Sequence, residues 1–162
     1  MSATNVLVLC TGNSARSMLG EALVNMLGEP EFKGFSAGST PRGEPHPMTE
    51  ILLAEKGYDV RSLRSKSWDE FAGDSAEEMR IVITVCDNAA GESCPYFPGA
   101  PVKAHWGLPD PAAIEDEDAQ RGAFEDAYKS LKARVSKLVA LPVSDMSNED
   151  LQKAVQAIHD DA

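Results

Sequence analysis

The feature that most constrains this chain is an apolar run that ends in a cysteine and passes directly into a polar loop. The run Val6-Leu7-Val8-Leu9 predicts a buried strand, and the loop that follows is Cys10-Thr11-Gly12-Asn13-Ser14-Ala15-Arg16-Ser17. A helix is predicted from the end of this loop, over residues 16–27. A strand, a loop and a helix N-terminus in this order indicate an α/β unit with the loop at the carboxyl edge of the sheet.

The loop has the composition of a binding site for a tetrahedral oxyanion. The main-chain amides and the Arg16 guanidinium can converge on an anion, and the helix N-terminus adds its positive end. The same groups favour the thiolate of Cys10, which would then be a nucleophile at neutral pH. A buried structural cysteine is the alternative, but it needs no arginine at this offset. The predicted anion-binding residues are Thr11, Gly12, Asn13, Ser14, Ala15 and Arg16.

The remaining predicted elements alternate between strands and helices. Strands are predicted over 4–9, 32–37, 81–85 and 102–106, and helices over 16–27, from Pro47 to Gly57, over 116–140 and from Ser147. This order predicts a three-layer α/β single domain with a four-stranded parallel sheet. The apolar periodicity places Met26 and Leu27 on the inward face of the first helix and Ile51 on that of the second.

Composition restricts the partners of the chain. Its 162 residues are enough for one domain with its own core. Fifteen basic against twenty-six acidic side chains give a net charge of -11, which disfavours nucleic acid and anionic membranes as partners. No apolar run approaches the ~20 residues that span a bilayer. The first residues carry no basic secretion signal, so we expect a cytoplasmic protein.

Two further cysteines follow the third predicted strand. Cys86 comes directly after residues 81–85 and is expected at the same sheet edge as Cys10. Cys94 follows a small, polar segment, 87–93, and a thiol on a flexible loop suits thiol–disulfide exchange. The pattern therefore predicts a redox-active pair. The alternatives are a core cysteine with a bystander, or zinc with His105 as a further ligand; we predict no metal and no cofactor.

Asp110 follows the fourth predicted strand and is flanked by Pro109 and Pro111, which restrict its backbone. Its position places a carboxyl group at the same sheet edge as the anion loop. It can therefore act as a general acid that protonates a leaving oxygen. The alternative is an acidic loop residue that caps the following helix.

Together these segments resemble the arsenate reductases built on the low-molecular-weight protein tyrosine phosphatase fold. The carrying segments are residues 10–17, Phe35-Ser36-Ala37-Gly38, Ile83-Thr84-Val85-Cys86, Cys94-Pro95, His105-Trp106-Gly107 and Asp110-Pro111. The loop alone indicates the phosphatase fold, whereas the cysteine pair with the last two segments is more specific to the reductases. The resemblance covers about residues 4–142. We therefore expect a phosphatase-fold domain over 1–142 and a C-terminal helical extension over 143–162.

The resemblance implies that arsenate is reduced to arsenite through a three-cysteine relay. Cys10 attacks the bound arsenate while Asp110 protonates the departing oxygen. Cys86 then attacks Cys10 and releases arsenite, and Cys94 attacks Cys86. Thioredoxin or another thiol reductant reduces the resulting disulfide, and phosphate and sulfate are mimics of arsenate. The implied catalytic residues are Cys10, Arg16, Ser17, Cys86, Cys94 and Asp110, with Ser17 hydrogen-bonded to the Cys10 thiolate.

The chain departs from the family pattern in three places. Ala15 stands where some members have a second loop cysteine, which lies outside the relay. The interval from Cys86 to Cys94 is one residue longer than in the best-known members. Some members also bind potassium beside the loop, through positions that match Asn13, Glu21 and Ser36. The aspartate that completes that set is replaced near Ser67-Trp68, so the residues do not predict a strong potassium site.

Two other functions stay open at the level of the sequence. A low-molecular-weight tyrosine phosphatase would use Cys10, Arg16 and Asp110 in the same way and hydrolyse the thiophosphate with water. Ala112-Ala113 argue against it, since such phosphatases often place an aromatic residue there, although phosphatase side activity is expected. An oxyanion- or redox-sensing module without catalysis is the other alternative.

Overall fold

A computed structural model describes residues 3–73, 78–86, 97 and 101–161 of the chain. In this part of the chain the strands are β1 (Thr4–Cys10), β2 (Phe32–Gly38), β3 (Ile81–Thr84) and β4 (Val102–His105). The longer helices are α1 (Arg16–Gly28), α2 (Pro47–Glu55), α3 (Glu117–Leu138) and α4 (Asn148–Asp160). A short 3-10 helix spans Trp68–Phe71.

The four strands form one parallel sheet in the order β2-β1-β3-β4, with β1 paired to both β2 and β3. This confirms the predicted α/β class and the four-stranded parallel sheet. Because all strands run in the same direction, their carboxyl ends meet at one edge. The segments that begin at Cys10, Gly38, Val85 and Trp106 therefore start at the same edge of the sheet.

Both faces of the sheet are covered, because alternate residues of β1 are buried on opposite sides. Val6, Val8 and Cys10 belong to the larger apolar cluster, which also contains buried residues of α1, α3 and α4. Leu7 and Leu9 belong to a smaller cluster with Trp68 and Phe71. Cys10 therefore faces the side of the sheet on which α1 packs.

Three side chains predicted to face inward are exposed instead. Met26 and Leu27 are 38% and 37% exposed, because burial of α1 is concentrated in the two turns that follow the loop. Ile51 is 47% exposed, whereas Leu52 and Leu53 are buried. Ile51, Leu52 and Leu53 are consecutive, so a helix can bury either the first two or the last two of them. In the structure the last two are buried.

Helix α4 packs against β4. Gln156 accepts a hydrogen bond from the main-chain amide of His105 at 2.9 Å and donates to its carbonyl at 3.0 Å. The indole of Trp106 donates to the carbonyl of Val155 at 2.9 Å. Within the residues that the structure describes, no helix has both the length and the apolar content to cross a bilayer.

Candidate active site

The loop between β1 and α1 is held with its carbonyl groups turned outward. The carbonyl oxygens of Thr11, Gly12 and Ser14 accept main-chain hydrogen bonds of 3.0, 3.0 and 2.9 Å from the segment 40–46. Because the C=O and N–H groups of a trans peptide point in opposite directions, the amides that follow these carbonyls are turned toward the inside of the loop. This arrangement is what a main-chain anion site requires.

Two backbone features bring the loop close to β2 and to the cysteine. A Cβ atom on Gly38 would collide with the main-chain oxygen of Thr11, so the close approach requires glycine. Asn13 has a φ of 44°, in the left-handed region that asparagine tolerates better than most residues. The main-chain N–H of Asn13 donates to the sulfur of Cys10 over 3.2 Å.

Cys10 is buried, at 4% exposure, and its sulfur lies 2.9 Å from Ser17 Oγ. Asn13 Nδ2 donates to the same Ser17 oxygen at 2.8 Å. Since Ser17 Oγ accepts this hydrogen bond, its own hydrogen is available to the sulfur. The Asn13 amide and the Ser17 hydroxyl therefore both face the sulfur of Cys10 and can donate to it.

A cavity of about 270 Å³ opens beside Cys10. It is lined by residues 10–12 and 14–16 of the loop, and by Thr40, Arg42, Asp110 and Ala112. Helix α1 begins here without a side-chain cap, which leaves its first amides available to an anion. The cavity thus combines a thiol, main-chain amides and two guanidinium groups.

Arg16 and Asp110 meet at this cavity. Nη1 of Arg16 donates to the carbonyl of Leu108 at 3.0 Å, and Nη2 lies 3.6 Å from Oδ2 of Asp110. The other carboxylate oxygen of Asp110 accepts from the amide of Ala112 at 3.0 Å. One carboxylate oxygen of Asp110 therefore caps the following turn, while the other pairs with Arg16 beside the cavity. The role of Asp110 as a general acid stays a prediction.

Cys86 lies at the same sheet edge as Cys10, and both cysteines are buried members of the larger apolar cluster. The sulfur of Cys86 lies 3.5 Å from Oγ1 of Thr11, the first residue after Cys10. The structure records no disulfide between Cys10 and Cys86. Cys94 lies outside the described residues, so its predicted role as the third thiol stays a prediction. His105, the alternative zinc ligand, has Nδ1 2.8 Å from Thr84 Oγ1.

Comparison with known proteins decides the family. The low molecular weight phosphotyrosine protein phosphatase family matches residues 5–157. This chain is a member of that family. Arsenate reductase from Bacillus licheniformis is 33% identical over 124 residues, which are 76% of this chain and 86% of the relative.

Two solved structures extend this relationship. The arsenate reductase from Archaeoglobus fulgidus superposes with a TM-score of 0.66 at 28% identity, covering 84% of this chain and 99% of its own. An arsenate reductase in the phosphate-binding state superposes with a TM-score of 0.64 at 25% identity, covering 85% and 97%. The predicted resemblance to the arsenate reductases of the low-molecular-weight phosphatase fold is thereby confirmed.

Several residues at or beside the cavity were not predicted as site residues from the sequence. Thr40 and Arg42 line the cavity, and His46 caps α2 by accepting from the amide of Met48 at 3.0 Å. Burial lowers the pKa of His46, Arg42 lowers it further, and Asp110 opposes both effects. Pro47 indicates a helix start and hence a cap before it. No spacing in the sequence connects the segment 40–46 with the loop.

A buried ion pair lies behind the loop. Nζ of Lys66 is 3.7 Å from Oε1 of Glu21, and the two side chains are 8% and 10% exposed. Burial raises the pKa of Glu21 and lowers that of Lys66, and each partner opposes the shift of the other. Ser36 is hydrogen-bonded to Glu21 and Asn13 to Ser36, so the three positions that the resemblance connects with potassium lie in one chain of hydrogen bonds. The residues do not fit potassium, because the Lys66 ammonium already provides the positive charge at Glu21.

Proposed function

We propose that this chain is an arsenate reductase with Cys10 as the nucleophile. The observation that carries the proposal is the placement of two cysteine sulfurs at one edge of the sheet. The sulfur of Cys10 is buried in an anion-type loop, and that of Cys86 lies against Thr11 of the same loop. The relationship to arsenate reductases at 33% identity supports the same reaction.

In the first step the loop amides and Arg16 hold arsenate against Cys10. The thiolate forms a bond from sulfur to arsenic, and one arsenic–oxygen bond breaks. Asp110 donates a proton to the departing oxygen, which leaves as water. The position of Asp110 supports this role, because its carboxyl group lines the cavity in which the oxygen leaves. Asp110 acts in its protonated form, so its ion pair with Arg16 is released when the anion binds.

In the second step the Cys86 thiolate attacks the Cys10 sulfur. A disulfide forms, the sulfur–arsenic bond breaks, and its electron pair reduces arsenic from As(V) to As(III), which leaves as arsenite. Cys94 then attacks Cys86, which frees Cys10 as a thiolate and gives a Cys86–Cys94 disulfide. A dithiol reductant of the thioredoxin class supplies the two electrons that reopen it, with a potential of about -270 mV.

The same site supports hydrolysis of phosphomonoesters as a side activity. Phosphate is isosteric with arsenate, and the steps up to the covalent intermediate need only Cys10, Arg16 and Asp110. Water then attacks phosphorus, the sulfur–phosphorus bond breaks, and phosphate leaves while Cys10 is freed as the thiolate. The family match favours this second activity, because it is to phosphotyrosine phosphatases. We place the enzyme in the cytoplasm, where thiol reductants keep its cysteines reduced.

The proposal is tested with Cys86→Ser, assayed with arsenate and a thioredoxin system by the oxidation of NADPH. We expect arsenate reduction to be abolished, while hydrolysis of p-nitrophenyl phosphate by the same preparation stays at the parent rate. The second activity is the matched control for folding and for the anion loop. Arsenate reduction at the parent rate by both Cys86→Ser and Cys94→Ser would refute the relay.

A further inference from the structure

The ion pair between Lys66 and Glu21 has no part in the reaction proposed above, although both side chains are buried. Besides its contact with Glu21, the Lys66 ammonium donates to the carbonyl of Arg64 at 2.7 Å. The main-chain amide of Lys66 donates to Oδ1 of Asn13 at 2.9 Å. One residue therefore contacts both the buried carboxylate and the loop asparagine. Burial of charged groups costs desolvation free energy, so we looked for a function of this buried pair.

The hydrogen bonds between Glu21 and Asn13 have directions that the donors and acceptors fix. The Ser36 hydroxyl donates to Oε1 of Glu21 at 2.7 Å, and Asn13 Nδ2 donates to Ser36 Oγ at 3.0 Å. The main-chain amide of Lys66 donates to Oδ1 of Asn13, so the amide nitrogen must be the end that faces Ser36. A carboxylate at Glu21 thus sets the direction of donation along these groups.

The second hydrogen of Asn13 Nδ2 continues the chain to the nucleophile. It donates to Ser17 Oγ at 2.8 Å, which leaves the Ser17 hydroxyl hydrogen for the sulfur of Cys10 at 2.9 Å. Hydrogen bonds that include an ionised group are about twice as strong as neutral ones, and they polarise their neighbours in a chain. The charge on Glu21 therefore bears on Cys10 through Ser36, Asn13 and Ser17.

We propose that Lys66 is a positioning residue for the nucleophile, because its ammonium holds Glu21 as the charged acceptor that orients Ser36, Asn13 and Ser17 toward the Cys10 thiolate. The inference rests on the proposed function only in taking Cys10 as the nucleophile. The Lys66 ammonium lies where a bound cation would contact Glu21, so the chain supplies this positive charge from its own side chain.

The test measures the reactivity of Cys10 without any substrate. Parent and Lys66→Met are treated with iodoacetamide across a range of pH in phosphate-free buffer, and alkylation of the Cys10 peptide is quantified by mass spectrometry. We expect the alkylation profile of Lys66→Met to move to higher pH, with the rate at neutral pH lowered about fivefold. Lys153→Met is the matched control, because it removes a lysine from an exposed ion pair, and its profile should equal that of the parent.

Two more variants separate positioning from folding. The double variant Glu21→Gln/Lys66→Met leaves no buried unpaired charge. Ser36→Ala keeps both charges but removes the hydrogen-bonded link from Glu21 to Asn13. Both should fold, as urea unfolding will verify, and both should show the same shift as Lys66→Met. A parent-like profile in the folded double variant or in Ser36→Ala overturns the inference.

The outcome is independent of the reductase assay. If the parent protein reduces arsenate while none of these profiles moves, the proposed function stands and the role of Lys66 falls. If the profiles move but the parent does not reduce arsenate, the positioning role stands and the proposed reaction falls.

Discussion

Arg16 and Asp110 meet at the cavity, and each side chain is fixed by a second contact. The guanidinium is held by the Leu108 carbonyl and the carboxylate by the Ala112 amide. Because these contacts leave Nη2 and Oδ2 facing each other, the guanidinium and the carboxyl group proposed as the proton donor are both oriented before an anion enters. The side chain of Arg16 is 15% exposed, so its charge acts in a partly desolvated site.

Arg16→Lys should weaken oxyanion binding about tenfold, because a single ammonium replaces a planar fork that donates in two directions. The affinity is measured by the protection that phosphate gives Cys10 against iodoacetamide. Arg61→Lys, in an exposed pair with Asp59, is the control and should leave the affinity unchanged. Unaltered protection in Arg16→Lys would mean that Arg16 does not hold the anion.

Asp110→Asn should slow hydrolysis of p-nitrophenyl phosphate about a hundredfold, because the side-chain amide is too weak an acid to transfer a proton to the leaving oxygen. The amide oxygen can still accept from Ala112, so the turn at 111–113 is preserved. Phosphate affinity, measured by the same protection assay, should not fall. A loss of affinity with turnover retained would assign Asp110 a structural role instead.

At the level of elements, α4 completes the sheet by covering the main chain of its edge strand. Gln156 satisfies both main-chain groups of His105, and Gln152 donates to the carbonyl of Lys103 at 3.0 Å. Edge strands with unpaired main-chain groups invite pairing with another chain, and these contacts blunt that tendency at β4. They also fix the start of the segment that leads from Trp106 to Asp110.

Gln156→Leu should lower the free energy of unfolding by about 2 kcal/mol, because two main-chain groups of His105 lose their partners. The change is measured by urea unfolding. Gln152→Leu removes a single, exposed hydrogen bond and should cost less than half as much. Equal losses in the two variants would show that the pairing with His105 has no special weight.

The elements themselves were largely predictable, and the reasons are local. The residues that identify the loop 10–17 and the strand predicted over 81–85 are consecutive in the sequence. The strands, the loop and its position at the sheet edge can therefore be predicted from them. The face of α2 was misassigned at Ile51, since three apolar neighbours satisfy more than one helical period. Lys66 was missed because a single lysine in a polar segment has no signal that distinguishes burial from exposure.

For the whole molecule, the buried pair couples stability to pH. Because burial raises the pKa of Glu21, the folded chain holds that proton more tightly than the unfolded chain does. Protonated Glu21 therefore contributes to stability at low pH. This contribution is lost as pH rises from the ordinary pKa of the unfolded chain through the raised pKa of the folded chain. Burial lowers the pKa of Lys66, so the charged group destabilises the folded chain at low pH. This loss of stability is recovered only as pH rises from the lowered pKa of the folded chain to the ordinary pKa of the unfolded chain. At neutral pH both groups reduce stability.

Glu21→Gln/Lys66→Met should therefore raise the free energy of unfolding at neutral pH by about 1 kcal/mol. The gain over the parent should be smaller at about pH 4, below the ordinary pKa of Glu21, because the group is then largely protonated in both the folded and the unfolded chain. Urea unfolding at the two pH values provides the comparison. A gain that is equal at both would contradict the raised pKa of Glu21.

The proposed reaction requires that Cys86 attack the Cys10 sulfur while arsenic is still bound to it. Cys94→Ser isolates that step. One equivalent of arsenate is added to this variant without a reductant, free thiols are counted, and peptides are mapped by mass spectrometry. We predict one arsenite released, two thiols lost and a single cross-linked peptide that joins Cys10 to Cys86. Arsenite released without that cross-link would contradict the account.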